Sequence, residues 1–215
     1  MSKLRGKALP VNKTCSFLLL LALSVGSLFA ADGPAPRKAP ELAFTLPGVG
    51  PKLLSQYRGK VVAIEFIMTT CPHCQAAAKV MTQYQKDYGS RGYQSIDLAI
   101  NVLANNASPA SASQQVSAFA STYGAEFPVG FLPQDQMMSF MGFSIMDRMV
   151  VPQIVLIDRK GFIRYQTPAE SGEEWDKVMN ETAMREHIEQ LLGQGSSTAA
   201  HHAKSVHVAS SGKGQ

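Results

Sequence analysis

The sequence predicts an α/β fold built on a mixed sheet that is flanked by helices, and three observations lead to this prediction. Apolar runs of strand length alternate with segments of helical periodicity along the chain. One run, VVAIEFIM at 61–68, is almost continuously apolar, which is typical of a strand covered on both faces. Two later strands are joined by a tight turn signal, so part of the sheet is antiparallel.

The first half of this pattern contains two strands and two helices. After the strand at 61–68, apolar residues recur at helical spacing up to Tyr88, and the helix is expected to end before Gly89 or Gly92. A second strand, SIDLAINV, is predicted at 95–102. A second helix follows through Val116 and Tyr123, and Gly124 is expected to stop it.

The second half begins with strands at 153–157 and 162–167, which the turn signal at 158–161 joins into a hairpin. Beyond it the apolar positions fall on two different helical faces. This indicates a short helix capped by Ser171 with Glu174, and then a longer helix that begins near Asn180.

The N-terminal segment 1–31 predicts export. A basic opening precedes an apolar run that ends in the small residues Ala30 and Ala31, which is the pattern of a secretory signal, and an uncleaved membrane anchor is the alternative. The expected location is therefore extracytoplasmic: periplasmic, secreted, or anchored to the outer face of the inner membrane. Disulfides persist in such compartments.

The remaining boundaries follow from composition. Segment 32–40 is rich in proline and alanine and is predicted to be a linker, segment 41–192 is one folded domain, and segment 193–215 is a disordered tail. The formal net charge of +4 resides in 1–31, which holds four basic and no acidic residues, so the rest of the chain is neutral. This balance gives no reason to expect a nucleic-acid partner.

The motif CPHC at 71–74 is the strongest candidate for chemistry. A structural zinc site needs four ligands, and no second cysteine pair is present. A c-type haem needs histidine directly after the second cysteine, where this chain has Gln75. A purely structural bridge across so short a loop would constrain the unfolded chain little. A redox pair is the reading that the surroundings favour.

Those surroundings are a strand, a short turn and a helix that begins at the motif. Cys71 is expected at the helix N-terminus, where free N–H groups stabilise a thiolate, and Cys74 is expected one turn inside as the resolving thiol. Pro72 suits the first helical turn because its missing N–H is not needed there. His73 can add a positive charge or a hydrogen bond near the Cys71 sulfur.

The chain resembles the thioredoxin superfamily, most closely the extracytoplasmic TlpA/ResA-like branch with its redoxin-type domain. The resemblance covers about residues 41–192 and is carried by FTLPGVGPKLLSQYRGKVVAIEF, CPHC and VVPQIVLIDRKGFIRY in that order. It implies a thioredoxin-like three-layer fold and thiol–disulfide oxidoreductase activity. It also implies protein thiols or disulfides as substrates, a redox protein that donates or accepts electrons, and neither a cofactor nor a metal.

Individual residues carry over from this family. Cys71 and Cys74 match its redox-active disulfide, and Pro152 matches its cis-proline. Val151 and Pro152, together with Pro72, are expected to contact the substrate chain. Glu65 matches the buried acid of thioredoxin, and a raised pKa would let it exchange a proton with Cys74.

The direction of electron flow stays open at this stage. Thr70 and Ile67 stand where the family usually has aromatic residues, and the Pro-His dipeptide is that of DsbA-like oxidants. The chain has little room for the helical insertion of DsbA, so the fold favours a reductase, as in cytochrome c biogenesis.

Two other functions remain as alternatives. A thiol peroxidase would need Ser or Thr three residues before the reactive cysteine, where Met68 stands. A copper chaperone could use CPHC together with thioethers. The methionines that could serve are Met137, Met138, Met141, Met146 and Met149, although a hydrophobic surface near the active site is the preferred role for them. His201, His202 and His207 of the tail could bind a metal only loosely.

Overall fold

The structure is a computed structural model that describes residues 36–193. The predicted signal or anchor at 1–31 and the tail beyond Gly193 lie outside the described residues. No helix within the described stretch is both long enough and apolar enough to cross a membrane.

Within residues 36–193, eight strands form one sheet. They are β1 Arg37–Lys38, β2 Ala43–Leu46, β3 Gly50–Leu53, β4 Val61–Ile67, β5 Tyr93–Ala99, β6 Val129–Phe131, β7 Gln153–Ile157 and β8 Phe162–Gln166. Their order across the sheet is β1-β8-β7-β4-β5-β6-β2-β3. The three strands β4, β5 and β6 are parallel and all other pairings are antiparallel, so the sheet is mixed, as predicted.

Five helices complete the fold. They are α1 Pro72–Tyr88, α2 Pro109–Tyr123, α3 Gln134–Met141, α4 Glu173–Met179 and α5 Glu181–Gly193. Helix α2 ends before Gly124, as predicted. Gly124 adopts a left-handed conformation with φ of 67° that few other residues tolerate.

The sheet separates two apolar cores, which gives the three layers. Helices α1, α2 and α5 pack on one face, and α3 packs on the other together with residues from the N-terminal strands. Strand β4 lies between the two cores, and all seven of its residues are buried. Its continuous apolar sequence therefore reflects coverage on both faces, as the run predicts.

Strand β6 and helix α3 are among the elements that the sequence pattern did not predict. Strand β6 has three residues, too few to show a period, and it closely approaches β2 at Gly130. Helix α3 lies within the methionine-rich segment, and Met137, Met138 and Met141 are buried in the core beneath it. The prediction that these three methionines line a surface is wrong, because their spacing places them on the buried face of a helix.

Two predicted boundaries also differ. Arg37 and Lys38 of the predicted linker pair with the free edge of β8, and Ala39 is buried, so the folded unit begins before residue 41. Helix α4 has Gly172 as its N-cap, without a side-chain cap from Ser171. Near the predicted start of α5, the Asn180 side chain accepts from the N–H of Thr182 at 2.9 Å.

Candidate functional site

The two cysteines of CPHC lie where β4 gives way to α1. Cys71 is the N-cap residue of the helix with extended backbone, and Pro72 is its first helical residue. Cys71 is half-buried, whereas Cys74 is fully buried at 0% exposure. Both are free thiols, which is the reduced form of the predicted Cys71–Cys74 disulfide. One sulfur is thus presented to a partner, and the other is held behind it.

Pro72 and His73 form the outer edge of the motif. Both residues are exposed, in the first turn of α1. The turn is fixed by the backbone on either side of Cys71. The N–H of Cys71 donates to the Met68 carbonyl at 3.0 Å, and the Cys71 carbonyl accepts from the N–H of Gln75 at 3.0 Å.

The structure brings Val151 and Pro152 to Cys71 from the other half of the chain. The peptide bond between Val151 and Pro152 is cis, as the resemblance predicts. The Cys71 thiol donates to the Val151 carbonyl oxygen, with the sulfur and oxygen 3.7 Å apart. The reactive sulfur and the segment expected to contact a substrate chain are therefore adjacent.

Gln153, which the sequence analysis did not single out, anchors this segment. Its buried side-chain amide donates to the carbonyl oxygens of Val150 at 2.9 Å and Ala169 at 3.0 Å. Thr167 donates to its side-chain oxygen. A glutamine at the start of a strand carries no signal of this role, because its partners come from the segment after β8 and from the loop before β7.

Asn101 is a second supporting residue that the sequence did not reveal. Its Oδ1 accepts from the backbone N–H of Thr69 at 3.1 Å, and its Nδ2 donates to the Thr69 hydroxyl at 3.3 Å. The Gln75 side chain donates to the Thr69 carbonyl at 3.0 Å. The turn before Cys71 is therefore tied to the end of β5 and to α1.

Glu65 lies in the middle of β4, on the face that carries Cys74. It is 1% exposed, and burial raises its pKa to about 8, an effect that a hydrogen bond with Asp97 partly offsets. The pKa of Cys74 is also raised, first by burial, and the charges of Cys71 and Glu65 add to the effect. A buried acid with a raised pKa is thus present where the resemblance predicts it.

Asp97 is the partner of Glu65 and was missed. The two residues are directly opposite in the parallel pairing of β4 and β5, and Asp97 is 0% exposed. Burial, and then the Glu65 carboxyl, raise the pKa of Asp97 well above its usual value. The available signal was an acid inside the apolar run SIDLAI, which is the same signal that singled out Glu65.

A cavity of about 110 Å³ reaches Glu65 from the side of α1 and α5. Apolar side chains from α1, β7, α4 and α5 form most of its wall. Its polar lining residues are the buried Glu65, Tyr84 and the exposed Glu181. The buried acid therefore has a path toward the surface that does not pass Cys71.

The segment between α3 and β7 is the most exposed apolar part near the site. Ile145 and Met146 are 89% and 84% exposed, while Phe143 and Met149 pack against the core. Only Met146 of the five methionines is fully solvent-facing, so they do not form one thioether cluster. Residues 36–193 contain no group of three or more His, Cys, Asp or Glu arranged to hold a metal ion.

Comparisons with known proteins agree with this geometry. Residues 36–166 match the AhpC/TSA family. Comparison with curated proteins finds no significant match. Among solved structures, a protein assigned as the thiol:disulfide interchange protein DsbE of Chlorobium tepidum is 25% identical, with a TM-score of 0.56 over 73% of this chain and 96% of that chain.

Two further structures show the same fold at lower identity. A thiol:disulfide interchange protein of the thioredoxin family from Chlorobium tepidum TLS is 21% identical, with a TM-score of 0.55 over 75% of this chain and 99% of its own. A protein assigned as a protein disulfide isomerase from Bacteroides thetaiotaomicron is 24% identical, with a TM-score of 0.55 over 78% of this chain and 93% of its own.

Proposed function

Since the chain belongs to the AhpC/TSA family and has the redoxin-type fold of the thioredoxin superfamily, we propose that it is a thiol–disulfide oxidoreductase that exchanges disulfides with protein partners through Cys71 and Cys74. One observation carries the proposal. The half-buried Cys71 sulfur lies 3.7 Å from the carbonyl oxygen of Val151, next to the cis-proline, while Cys74 is completely buried behind it.

The exchange has two steps. The Cys71 thiolate attacks one sulfur of a partner disulfide, which forms a mixed disulfide and releases the other partner sulfur as a thiolate. Cys74, as a thiolate, then attacks the Cys71 sulfur. The Cys71–Cys74 disulfide forms, the bond to the partner breaks, and two electrons have moved from the two cysteines to the partner.

Substrate contact is assigned to the residues around Cys71. The backbone of Val151 and Pro152 would pair with an extended partner segment, as an edge strand pairs with a sheet. Pro72 and His73 are exposed beside the same sulfur and would contact the partner from the side of α1. A protein disulfide with a flexible flanking chain therefore fits this site.

Glu65 is assigned the proton transfer that the second step needs. Cys74 is buried and the pKa of its thiol is raised, so it requires a base to become a thiolate. Glu65 has a pKa near neutrality and lies on the same face of the sheet. It would take up the Cys74 proton during resolution and would supply a proton to Cys74 when the disulfide is reduced again.

We assign the physiological direction as reduction, in an extracytoplasmic compartment and in pathways such as cytochrome c biogenesis. The similarity to the DsbE structure and the predicted signal segment support this assignment. The Cys71/Cys74 reduction potential tests it. A value near about −270 mV, that of thioredoxin, supports a reductase, and one near about −120 mV, that of DsbA, overturns it in favour of an oxidant.

Cysteine variants of the full chain test the activity itself. Cys71→Ser is expected to abolish the reduction of insulin by dithiothreitol-regenerated protein. Cys74→Ser should accumulate a mixed disulfide with the substrate, visible by mass spectrometry. Cys15→Ser is the matched control and should keep full activity. Unchanged insulin reduction by Cys71→Ser would overturn the proposal.

The two alternatives predict different results in the same preparation. A thiol peroxidase would consume hydrogen peroxide in a Cys71-dependent manner, but Met68 occupies the position where that chemistry needs a hydroxyl. A copper chaperone would bind Cu(I) tightly and show no disulfide exchange. Either outcome would replace the present assignment.

A further inference from the structure

Asp97 is a buried ionisable group that the two-step exchange does not use. It lies directly opposite Glu65 in the sheet, and both carboxyl groups are almost completely inaccessible. Oε2 of Glu65 and both oxygens of Asp97 accept no hydrogen bond from any N–H or O–H donor of the described residues. Two buried carboxyl groups that receive no hydrogen bond from other donors can form a hydrogen bond with each other only if one of them keeps its proton.

The surroundings of Glu65 and Asp97 determine which of the two carboxyl groups keeps its proton. Glu65 borders the cavity that leads to the exposed Glu181, whereas Asp97 does not. Asp97 is flanked by Glu65 on one neighbouring strand and by Val129 on the other. Glu65 thus borders an opening toward solvent that Asp97 does not reach, so the charged form of Asp97 is the less favourable of the two.

We propose that Asp97 is a positioning residue that stays protonated and donates a hydrogen bond to Glu65, so that Glu65 can ionise and accept the proton of Cys74. This inference rests on the proposed oxidoreductase function. Burial is the first cause of the raised pKa of both carboxyls, and each carboxyl also affects the pKa of the other, as expected for two acids that titrate as a pair.

The proton balance of the resolving step is then complete. The Cys74 thiol gives its proton to the ionised Glu65, and the Cys74 thiolate attacks Cys71 and displaces the partner thiolate. Glu65 is now neutral and loses its proton along the cavity toward solvent, and the partner thiolate takes up a proton from solvent. Asp97 keeps its own proton throughout.

Other groups that face Glu65 and Asp97 also affect the titration of the two carboxyls. Strand β7 contributes the apolar Ile154 opposite Glu65, and β6 contributes Val129 beside Asp97. The ionisable neighbours are Cys74 and Tyr84 of α1, Tyr93 of β5 and Glu181 of α5. Burial raises the pKa of Tyr84 and of Tyr93, so both stay neutral in the range where Glu65 titrates.

The test is the pH dependence of the resolving step in the full-length protein. A mixed disulfide is formed between Cys71 and an aromatic thiol, and release of that thiol is followed in single-turnover experiments. Asp97→Val removes the donor but keeps a strand-forming side chain, and it should move the midpoint of the pH profile up by about one unit or more. Asp97→Asn, which still has an N–H donor, should restore the midpoint to near that of the wild type.

The sign of the shift separates this inference from its opposite. If Asp97 were ionised, its removal would eliminate a repelling charge and move the midpoint down. A downward or absent shift in Asp97→Val therefore overturns the inference. Ser95→Ala, which removes a buried hydroxyl two residues away on the same strand, is the matched control and should leave the midpoint unchanged.

Infrared spectroscopy gives a second readout that depends on no kinetic assay. At about pH 10, where Glu65 with its pKa of about 8 is ionised, the wild type should still show the carbonyl stretch of a protonated carboxylic acid, and Asp97→Asn should lose it. Absence of that band in the wild type overturns the inference. Failure of the proposed function is distinguishable, because the wild type would then release no thiol from Cys71 at any pH, whatever residue 97 is.

Discussion

At the scale of single residues, the turn before Cys71 is held by the side chains of Asn101 and Gln75. Asn101 accepts the Thr69 N–H and donates to the Thr69 hydroxyl, so the end of β5 fixes the backbone that leads into the motif. The sulfur of Cys74, three residues after Cys71, is completely buried. The position of the attacking sulfur therefore depends on Asn101, which lies 30 residues after Cys71 in the sequence.

Asn101→Ala should slow the reaction of Cys71 with a small aromatic disulfide several-fold. It should also lower the free energy of unfolding by about 1 kcal/mol, because one partly buried backbone N–H loses its acceptor. Stopped-flow exchange and urea unfolding measure the two effects.

Gln94→Ala provides the control for this prediction. It removes a hydrogen bond to Gln85 elsewhere on β5 and should reduce stability by a similar amount without slowing exchange. Equal slowing in both variants would show that general destabilisation, and not the turn, controls the rate.

At the scale of elements, α3 explains the methionine-rich sequence. Met137, Met138 and Met141 project into the core from one helix face, while Met146 follows the helix and is exposed to solvent. Similar residues thus have different roles within ten positions. A flexible thioether suits an irregular core as well as an exposed contact surface, so residue type alone does not distinguish them.

Met137→Ala should lower the free energy of unfolding by about 2–5 kcal/mol, since it leaves a cavity at a fully buried position. Met146→Ala should change it by no more than about 0.5 kcal/mol. Chemical denaturation of the two variants beside the wild type measures the difference. Equal effects would contradict the assignment of Met137 to the core.

Elements with a clear period or turn signal could be predicted from the sequence. The run at β4, the helix after CPHC and the hairpin of β7 and β8 each have such a local signal. Strand β6 could not be predicted because three residues show no alternation, and its pairing with β5 and β2 is decided by distant chain segments. The short pairing of Arg37 and Lys38 with β8 depends in the same way on an available edge.

The candidate site also contains both residues that could be predicted from the sequence and residues that could not. Cys71, Cys74 and Pro152 are visible as motifs, and Glu65 stands out as an acid within an apolar strand. Asp97 carried an equal signal, but its meaning depends on the register of two parallel strands, which brings it opposite Glu65. Gln153 bonds to Ala169 and Thr167, and Asn101 bonds to Thr69, and no local pattern reveals these contacts between distant parts of the sequence.

At the scale of the whole molecule, Glu65 links stability to pH. Its pKa rises from an ordinary value of 4.5 to about 8 on folding, so the folded state binds a proton that the unfolded state has released. The resulting stabilisation is fully present below pH 4.5 and is lost as pH rises through 8. His187 acts in the opposite sense, because burial lowers its pKa and its neutral form is favoured in the folded state.

Comparison of the wild type with Glu65→Gln removes the Glu65 carboxyl, while His187 and the buried Asp97 are present in both proteins. Between pH 5.5 and 7.5, the wild type should lose stability relative to the variant by up to about 1.4 kcal/mol per pH unit. Urea unfolding across this range measures the difference. A constant difference would show that Glu65 does not titrate in this interval.

The two outer strands of the sheet have a consequence for self-association. An open edge presents unpaired N–H and C=O groups to which another chain can add, and long apolar edges favour aggregation. Here one edge is β1, only two residues long and set between Pro36 and Pro40, and the other is β3, which contains Pro51 and Lys52. Because proline has no N–H to donate and lysine resists burial, neither edge is a good template for strand addition. Under the proposed function, exposed segments of partner chains would therefore bind beside Cys71 and not by strand addition at the edges of the sheet.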